Sequence, residues 1–184
     1  FFNRRPSDPR ALGVTCDNVA GGGLVADHLL DRGNRKLAYV AGRADTSTNS
    51  DRWEGFRQRC LERGHGEPTK FDAGTFSYES GYETARAIMQ SPSRPDAIFC
   101  ANDILAIGVM DCLRREYSIG IPDEISVVGF DGISMASWPS HSLTTVRQPV
   151  EKMCAFTINL VSKLTQGKSF KPRIERIPGE LIER

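Results

Sequence analysis

Between residues 12 and 130 the chain alternates short apolar runs with helical stretches, and few folds accept that pattern. The runs LGVTC, KLAYVAG, DAIFC and ISVVGF are too short for buried helices and rich in β-branched and aromatic residues, and TKFDAG is a weaker run of the same kind. Strands that are apolar almost throughout, separated by helices, require a parallel sheet covered on both faces with right-handed crossovers. The fold class expected is α/β, with a doubly wound parallel sheet.

The helices carry recognisable ends. Asp17 and Asn18 suit the cap of the helix through LVADHLLDR, which stops at Gly33, and Asp51 suits the cap of WEGFRQRCLER, which stops at Gly64. Asn102 or Asp103 suits the cap of ILAIGVMDCLRRE, whose apolar residues cover more than one stripe. Such a helix is either deeply buried or shared with a partner subunit. After Asp131 the alternation breaks. The loop GISMASWPSHS leads to the short strand LTTV and, past Pro149, to a helix with Val150, Met153, Phe156, Thr157, Leu160 and Leu164 on one face.

Composition removes several function classes. The 184 residues carry 24 Lys and Arg against 23 Asp and Glu, so no basic footprint marks this chain as the part that meets nucleic acid. Five cysteines, widely spaced and without a CxxC pair, argue against a disulfide framework or zinc site and for a reducing compartment. No apolar run reaches the length of a membrane-spanning helix.

Sequence motifs for catalysis are equally sparse. AGGGLVA places Gly21, Gly23 and Ala26 at dinucleotide-fingerprint spacing, with Asp45 downstream, but four residues separate the first glycine from the strand end where pyrophosphate would need it. Small residues that let a helix pack closely on a sheet explain the run better. His28, His65 and His141 are scattered, and neither a GxSxG elbow nor a Walker loop occurs. No cofactor, metal or enzymatic activity is expected.

What remains is a set of polar and aromatic residues at the C-terminal ends of the strands. Asp17 follows LGVTC, ADTSTNSDR follows KLAYVAG, Phe76 follows TKFDAG, Asn102 and Asp103 follow DAIFC, and Asp131 ends VVGFD. Open parallel sheets bind ligands at that edge. Asp accepts hydrogen bonds, Arg donates through a planar fork, Asn does both and a ring supplies a flat apolar face. Asp131, Arg52, Asn102 and Phe76 therefore suit a polyhydroxylated ring or a purine.

The segments VTCDN, GLVADHLLDRGNRKLAYVAG, DRWEGFRQRCLERG, SRPDAIFCANDILAIGVMDCLRR, GIPDEISVVGFDG, SLTTVRQP and GELIER come in an order and spacing that resemble the effector-binding region of LacI/GalR-family transcription regulators. The resemblance implies a type I periplasmic-binding-protein-like fold of two α/β subdomains. By it, residues 17–147 and 170–184 form a nearly complete C-terminal subdomain, and residues 1–16 and 148–169 are remnants of the N-terminal one. The helix-turn-helix headpiece has no counterpart, so these residues are expected to be a fragment of a longer chain.

By the same resemblance Arg52, Phe76, Asn102, Asp131 and Gln148 match effector contacts, with Asp17, Thr46 and Thr48 as less uniform cleft positions. The implied protein is a cytoplasmic, ligand-responsive regulator, most simply a repressor. A sugar or purine effector would bias its binding to operator DNA. The segments near Asp17 and Arg147–Pro149 would act as hinge, and a homodimer would form through Ile104, Leu105, Met110, Met135 and Trp138. Arg52→Ala or Asp131→Ala is expected to weaken effector binding by about 1.5–3 kcal/mol, more than it weakens folding. A periplasmic sugar receptor shares the fold, but would seldom carry five unpaired cysteines. A nucleotide-dependent enzyme would need a phosphate loop directly after a strand.

Overall fold

The computed structural model describes residues 1–6, 8, 10–167 and 171–184. Its elements run β1 (Leu12–Cys16), α1 (Asn18–Asp31), β2 (Leu37–Ala41), α2 (Ser47–Glu62), β3 (Thr69–Asp72), α3 (Tyr78–Gln90), β4 (Ala97–Cys100), α4 (Asp103–Tyr117), β5 (Ser126–Asp131), β6 (Thr144–Arg147), α5 (Val150–Thr165), β7 (Arg173–Ile177) and β8 (Glu180–Ile182). The large sheet has the order β3-β2-β4-β5-β6-β8, parallel except for β8 at one edge. Because β3 lies on one side of β2 and all later strands on the other, the chain reverses its direction of growth between β2 and β4. A crevice opens at the C-terminal ends of strands at such a point.

Successive strand residues point to opposite faces, and the helices divide accordingly. Tyr39, Phe99 and Phe130 face α1 and α2, where Tyr39 and Phe99 each lie within 6.3 Å of the Phe56 ring centre. Gly129, next to Phe130, faces the start of α4. All four rings are fully buried, and burying a side chain of that size stabilises the fold by about 1.5–3 kcal/mol.

Three expectations need correction. LGVTC, which the resemblance sets apart from the C-terminal subdomain, pairs as β1 with β7 in a separate two-stranded sheet, alongside Phe2, so the closing stretch 170–184 does not lie wholly with the large sheet. Of the closing stretch, Arg173–Ile177 therefore stands beside β1, and only Glu180–Ile182 joins the large sheet. Leu105 and Met110 are buried at 0% and 1% exposure in the chain's own core, so neither has surface to offer a second subunit. Ile104 and Met135 are half-buried, and Trp138 is exposed. Asp51 does not cap a helix either; α2 begins at Ser47, and Asp51 inside it accepts from Arg5 Nη2 at 2.6 Å.

Helix α5 lies against β1 with Met153 buried and Phe156 and Leu160 partly so, while Ile158, Val161 and Leu164 are exposed. Its Cys154 is exposed, whereas Cys16, Cys60, Cys100 and Cys112 are buried free thiols. Burial pushes the Cys16, Cys60 and Cys112 thiols up to about 11, and a protonated thiol is a poor nucleophile. Titration of the native protein with an aromatic disulfide reagent is therefore expected to give one fast-reacting thiol, and the full five only on unfolding. Two or more fast thiols would contradict the packing of these helices.

Candidate functional site

Arg52, on the face of α2 that meets the sheet, is 3% exposed and bound on every side. Its Nε donates to Asn18 Oδ1 at 2.9 Å, Nη1 donates to the Ala101 carbonyl past the end of β4, and Nη2 donates to Asp131 Oδ1 at 3.1 Å. The guanidinium carbon stands 3.7 Å over the centre of the Phe130 ring, a cation–π contact. Asn18 is itself fixed, donating to the Cys16 carbonyl at 2.9 Å and to Thr15 Oγ1 at 3.2 Å. The guanidinium is thus immobilised before any ligand arrives, with N–H groups to spare.

Asp131 ends β5 with φ +125°, a conformation costly for a residue with a side chain, by about 1–3 kcal/mol. Its Oδ1 accepts from Arg52 Nη2 and, at 2.6 Å, from Gln148 Nε2. Gln148 follows β6 and leads into α5, so this carboxylate ties the large sheet to the segment that crosses toward the small one. The backbone repeats the link, Gln148 N donating to the Asp131 carbonyl at 3.1 Å.

A cleft of about 190 Å³ opens over this group, lined by Asn3, Arg4, Thr48, Arg52, Phe76, Asn102 and Asp131. A wider notch of about 490 Å³, lined by Asp131, Gln148, Pro149, Val150 and Lys152 among others, adjoins it through Asp131. Asn102 uses Oδ1 to cap α4 at Leu105 N, 3.0 Å away, which leaves its amide NH₂ for a ligand. The Phe76 ring packs against Gly42, where any Cβ would overlap it. Two buried acceptors at the site, Asn3 Oδ1 and Gln148 Oε1, have no partner among the described residues. A ligand rich in hydroxyl or N–H donors would supply what they lack.

The residues named from sequence divide cleanly. Arg52, Phe76, Asn102, Asp131 and Thr48 line one cleft, and Gln148 joins it through Asp131. Asp17 is the N-cap of α1, accepting from Ala20 N at 3.1 Å, and Thr46 donates its hydroxyl to the Arg43 carbonyl; neither lines the cleft. Asn3, Arg4 and Asn18 were not anticipated. Arg5 N donates to Ser47 Oγ at 2.9 Å, and this contact lays the N-terminal segment over the mouth of the cleft. Asn18 reads as a cap in sequence, and only its distance from Arg52 shows its use.

Beneath the site lies Asp103, fully buried. Desolvation pushes its carboxyl above the usual range, partly offset by hydrogen bonds from Thr145, Ile133 and Gly132. Among the described residues no group of His, Cys, Asp and Glu is arranged to hold a metal ion.

Comparison with known proteins identifies the family and the fold. The family model described as "periplasmic binding protein-like domain" matches residues 26–184. The ribose operon repressor of Escherichia coli (strain K12) is 30% identical over 164 residues, which cover 88% of this chain and 49% of that protein. The structure of a LacI transcriptional regulator from a Rhodococcus species superposes with a TM-score of 0.91 at 29% identity, covering all of this chain and 67% of that one. A LacI-family regulator from Enterococcus faecium, solved with bound ribose, gives 0.88 at 25% identity and covers all of this chain and 68% of that one. The chain spans about half the length of the curated relatives it matches. On the extent of these matches, and with α/β layers that superpose throughout, the chain belongs to the periplasmic binding protein-like domain family, in the form carried by LacI-family regulators.

Proposed function

We propose that this chain binds a small polyhydroxylated ligand in the cleft above Arg52 and Asp131, and that the ligand controls operator binding by a DNA-binding part of a longer protein. The observation that carries the reading is the fixed guanidinium and the bridging carboxylate, set beside the unpartnered Asn3 and Gln148 acceptors and the Phe76 face. Asp131 contacts Gln148 at a crossing segment, so a ligand that engages it differently in open and closed arrangements biases their equilibrium by the difference in its two affinities. Three segments cross between the two sheets: Asp17, Gln148–Pro149 and Pro178–Gly179. They form the natural hinge.

The working form is a cytoplasmic homodimer, with Trp138, Met135 and Ile104 as the remaining interface candidates. Among the described residues every cysteine is free, which favours a reducing compartment over a secreted receptor. D-ribose is the first ligand to try, because the named relatives are a ribose operon repressor and a regulator with ribose bound. Isothermal titration is expected to show binding to the parent and a loss of about 1.5–3 kcal/mol in Asp131→Ala, the range for a hydrogen bond to a charged group. Equal affinity in both proteins would remove Asp131 from the site. Adenine serves as a second titrant, since the half-buried Phe76 ring that lines the cleft also suits a planar base.

A further inference from the structure

Directly behind the cleft, the first residue of α4 is a carboxylate at 0% exposure. Asp103 Oδ2 accepts the backbone N–H groups of Gly132 and Ile133, each at 2.8 Å, and Oδ1 accepts from the Thr145 hydroxyl. All three donors are neutral, and the charge that acts on it is another carboxylate, Asp131. Helix capping does not require this arrangement, because Asn102 already caps α4. The sheet leaves room for it: a Cβ on Gly129 would overlap Asp103 Oδ1.

The groups that Asp103 holds are the ones that aim the site. Gly132 and Ile133 form the turn directly after Asp131, and Thr145 lies in β6, which ends just before Gln148. Asp131 at φ +125° and Gly132 at φ +75° are consecutive residues in the left-handed half of backbone space. The turn is wedged from the other side as well, since a Cβ on Gly132 would come within 2.8 Å of Arg147 Cα. Strained backbone persists only where its surroundings over-determine it. Without acceptors for these two N–H groups the turn relaxes and the Asp131 carboxylate swings away from Arg52 and Gln148.

We propose that Asp103 is a positioning residue: by fixing the Gly132–Ile133 turn and β6, it sets the direction in which Asp131 presents its carboxylate to Arg52, Gln148 and the ligand. The proposal rests on reading the cleft as the ligand site. Asp103 itself touches no ligand.

The test compares Asp103→Ala with Asp103→Asn. Asparagine keeps an oxygen for both backbone N–H groups, and its NH₂ can donate to the Thr145 hydroxyl; alanine keeps neither. Two signals are read in ¹⁵N-labelled protein, the Arg52 Nε–H resonance and the Gly132 and Ile133 amides, together with D-ribose affinity by titration calorimetry. In Asp103→Ala the Arg52 signal is expected to move and ribose affinity to fall about tenfold, the equivalent of one hydrogen bond to a charged group. Asp103→Asn is expected to restore both. An unmoved Arg52 signal in a folded Asp103→Ala protein overturns the proposal, as does an asparagine variant as impaired as the alanine one.

Should the alanine variant fail to fold, Thr145→Val removes one donor at nearly constant volume, and an unmoved Arg52 signal there overturns the proposal equally. Failure of ribose to bind the parent protein would count against the ligand reading alone. The Arg52 resonance still decides the role of Asp103 in that case.

Discussion

Replacing Arg52 with alanine is expected to lower the unfolding free energy by about 3 kcal/mol and the melting temperature by roughly 6–12 °C. The reason is the environment rather than the charge alone. Arg52 is 3% exposed and satisfies Asn18 Oδ1, the Ala101 carbonyl and Asp131 at once, while its flat face covers Phe130. Its removal takes the guanidinium from Asn18 Oδ1 and the Ala101 carbonyl, leaves Asp131 to Gln148 and solvent, and opens a cavity beside an aromatic ring, recognised sources of large destabilisation. Removing one partner of a buried ion pair costs about 3–5 kcal/mol; the Asp131 side chain is 28% exposed, so the lower end applies. Urea unfolding followed by circular dichroism measures it. Arg52→Lys should recover only part of the loss, because an ammonium cannot reach three acceptors spread around a planar fork. A midpoint unchanged in Arg52→Ala would mean that the guanidinium is not held as described.

That expectation reverses part of what the sequence suggested. Read as a cleft residue, Arg52 should matter to the ligand more than to folding. The structure makes it matter to both, because the same guanidinium that aims at the cleft pins α2 to α1 through Asn18 and to the sheet through Ala101. The same coupling explains which parts of the site were legible. Residues at strand ends, Asn102 and Asp131, announce themselves because an apolar run stops on a polar side chain. Arg52 and Phe76 follow strands closely enough to fall at the same edge. Asn3 and Arg4 carry no such signal, since their place depends on Arg5 meeting Ser47 and Asp51 on α2, 42 and 46 residues away.

Fold class was legible for a similar reason, and sheet membership was not. Periodicity identifies β1 as a strand and says nothing of its partners. Its partner β7 is charged at three of its five positions and lies more than 150 residues later, at Arg173–Ile177. Leu105 and Met110 show the converse limit. A helix apolar on more than one stripe is compatible with a subunit interface or with burial, and here α3 and the sheet already cover those residues.

The glycine run at residues 21–23 leads to the last expected result, since close packing is its evident purpose. Gly21 faces the sheet, where a Cβ would sit within 2.6 Å of the Phe130 ring. Gly22 faces α2, where a Cβ would overlap the Arg52 carbonyl, and Gly55 on α2 answers it against the Val19 carbonyl. The obstacles at Gly22 and Gly55 are backbone atoms, so no rotamer change relieves them. Gly55→Ala is expected to force α1 and α2 apart at a cost of about 3 kcal/mol, the upper end of the range for overpacking. Ligand binding should fall with it, because Arg52 lies three residues earlier on the displaced helix and leaves Ala101 and Asp131. Gly23 provides the control: a Cβ there meets nothing closer than 3.8 Å, and Gly23→Ala should stabilise the helix by roughly 0.5–1 kcal/mol. Denaturant unfolding of the two variants, with ligand titration of each, separates the cases. Equal destabilisation by both would mean that the run serves some need other than the approach of the two helices. Opposite signs would tie the aim of Arg52 to a helix separation that only glycine permits.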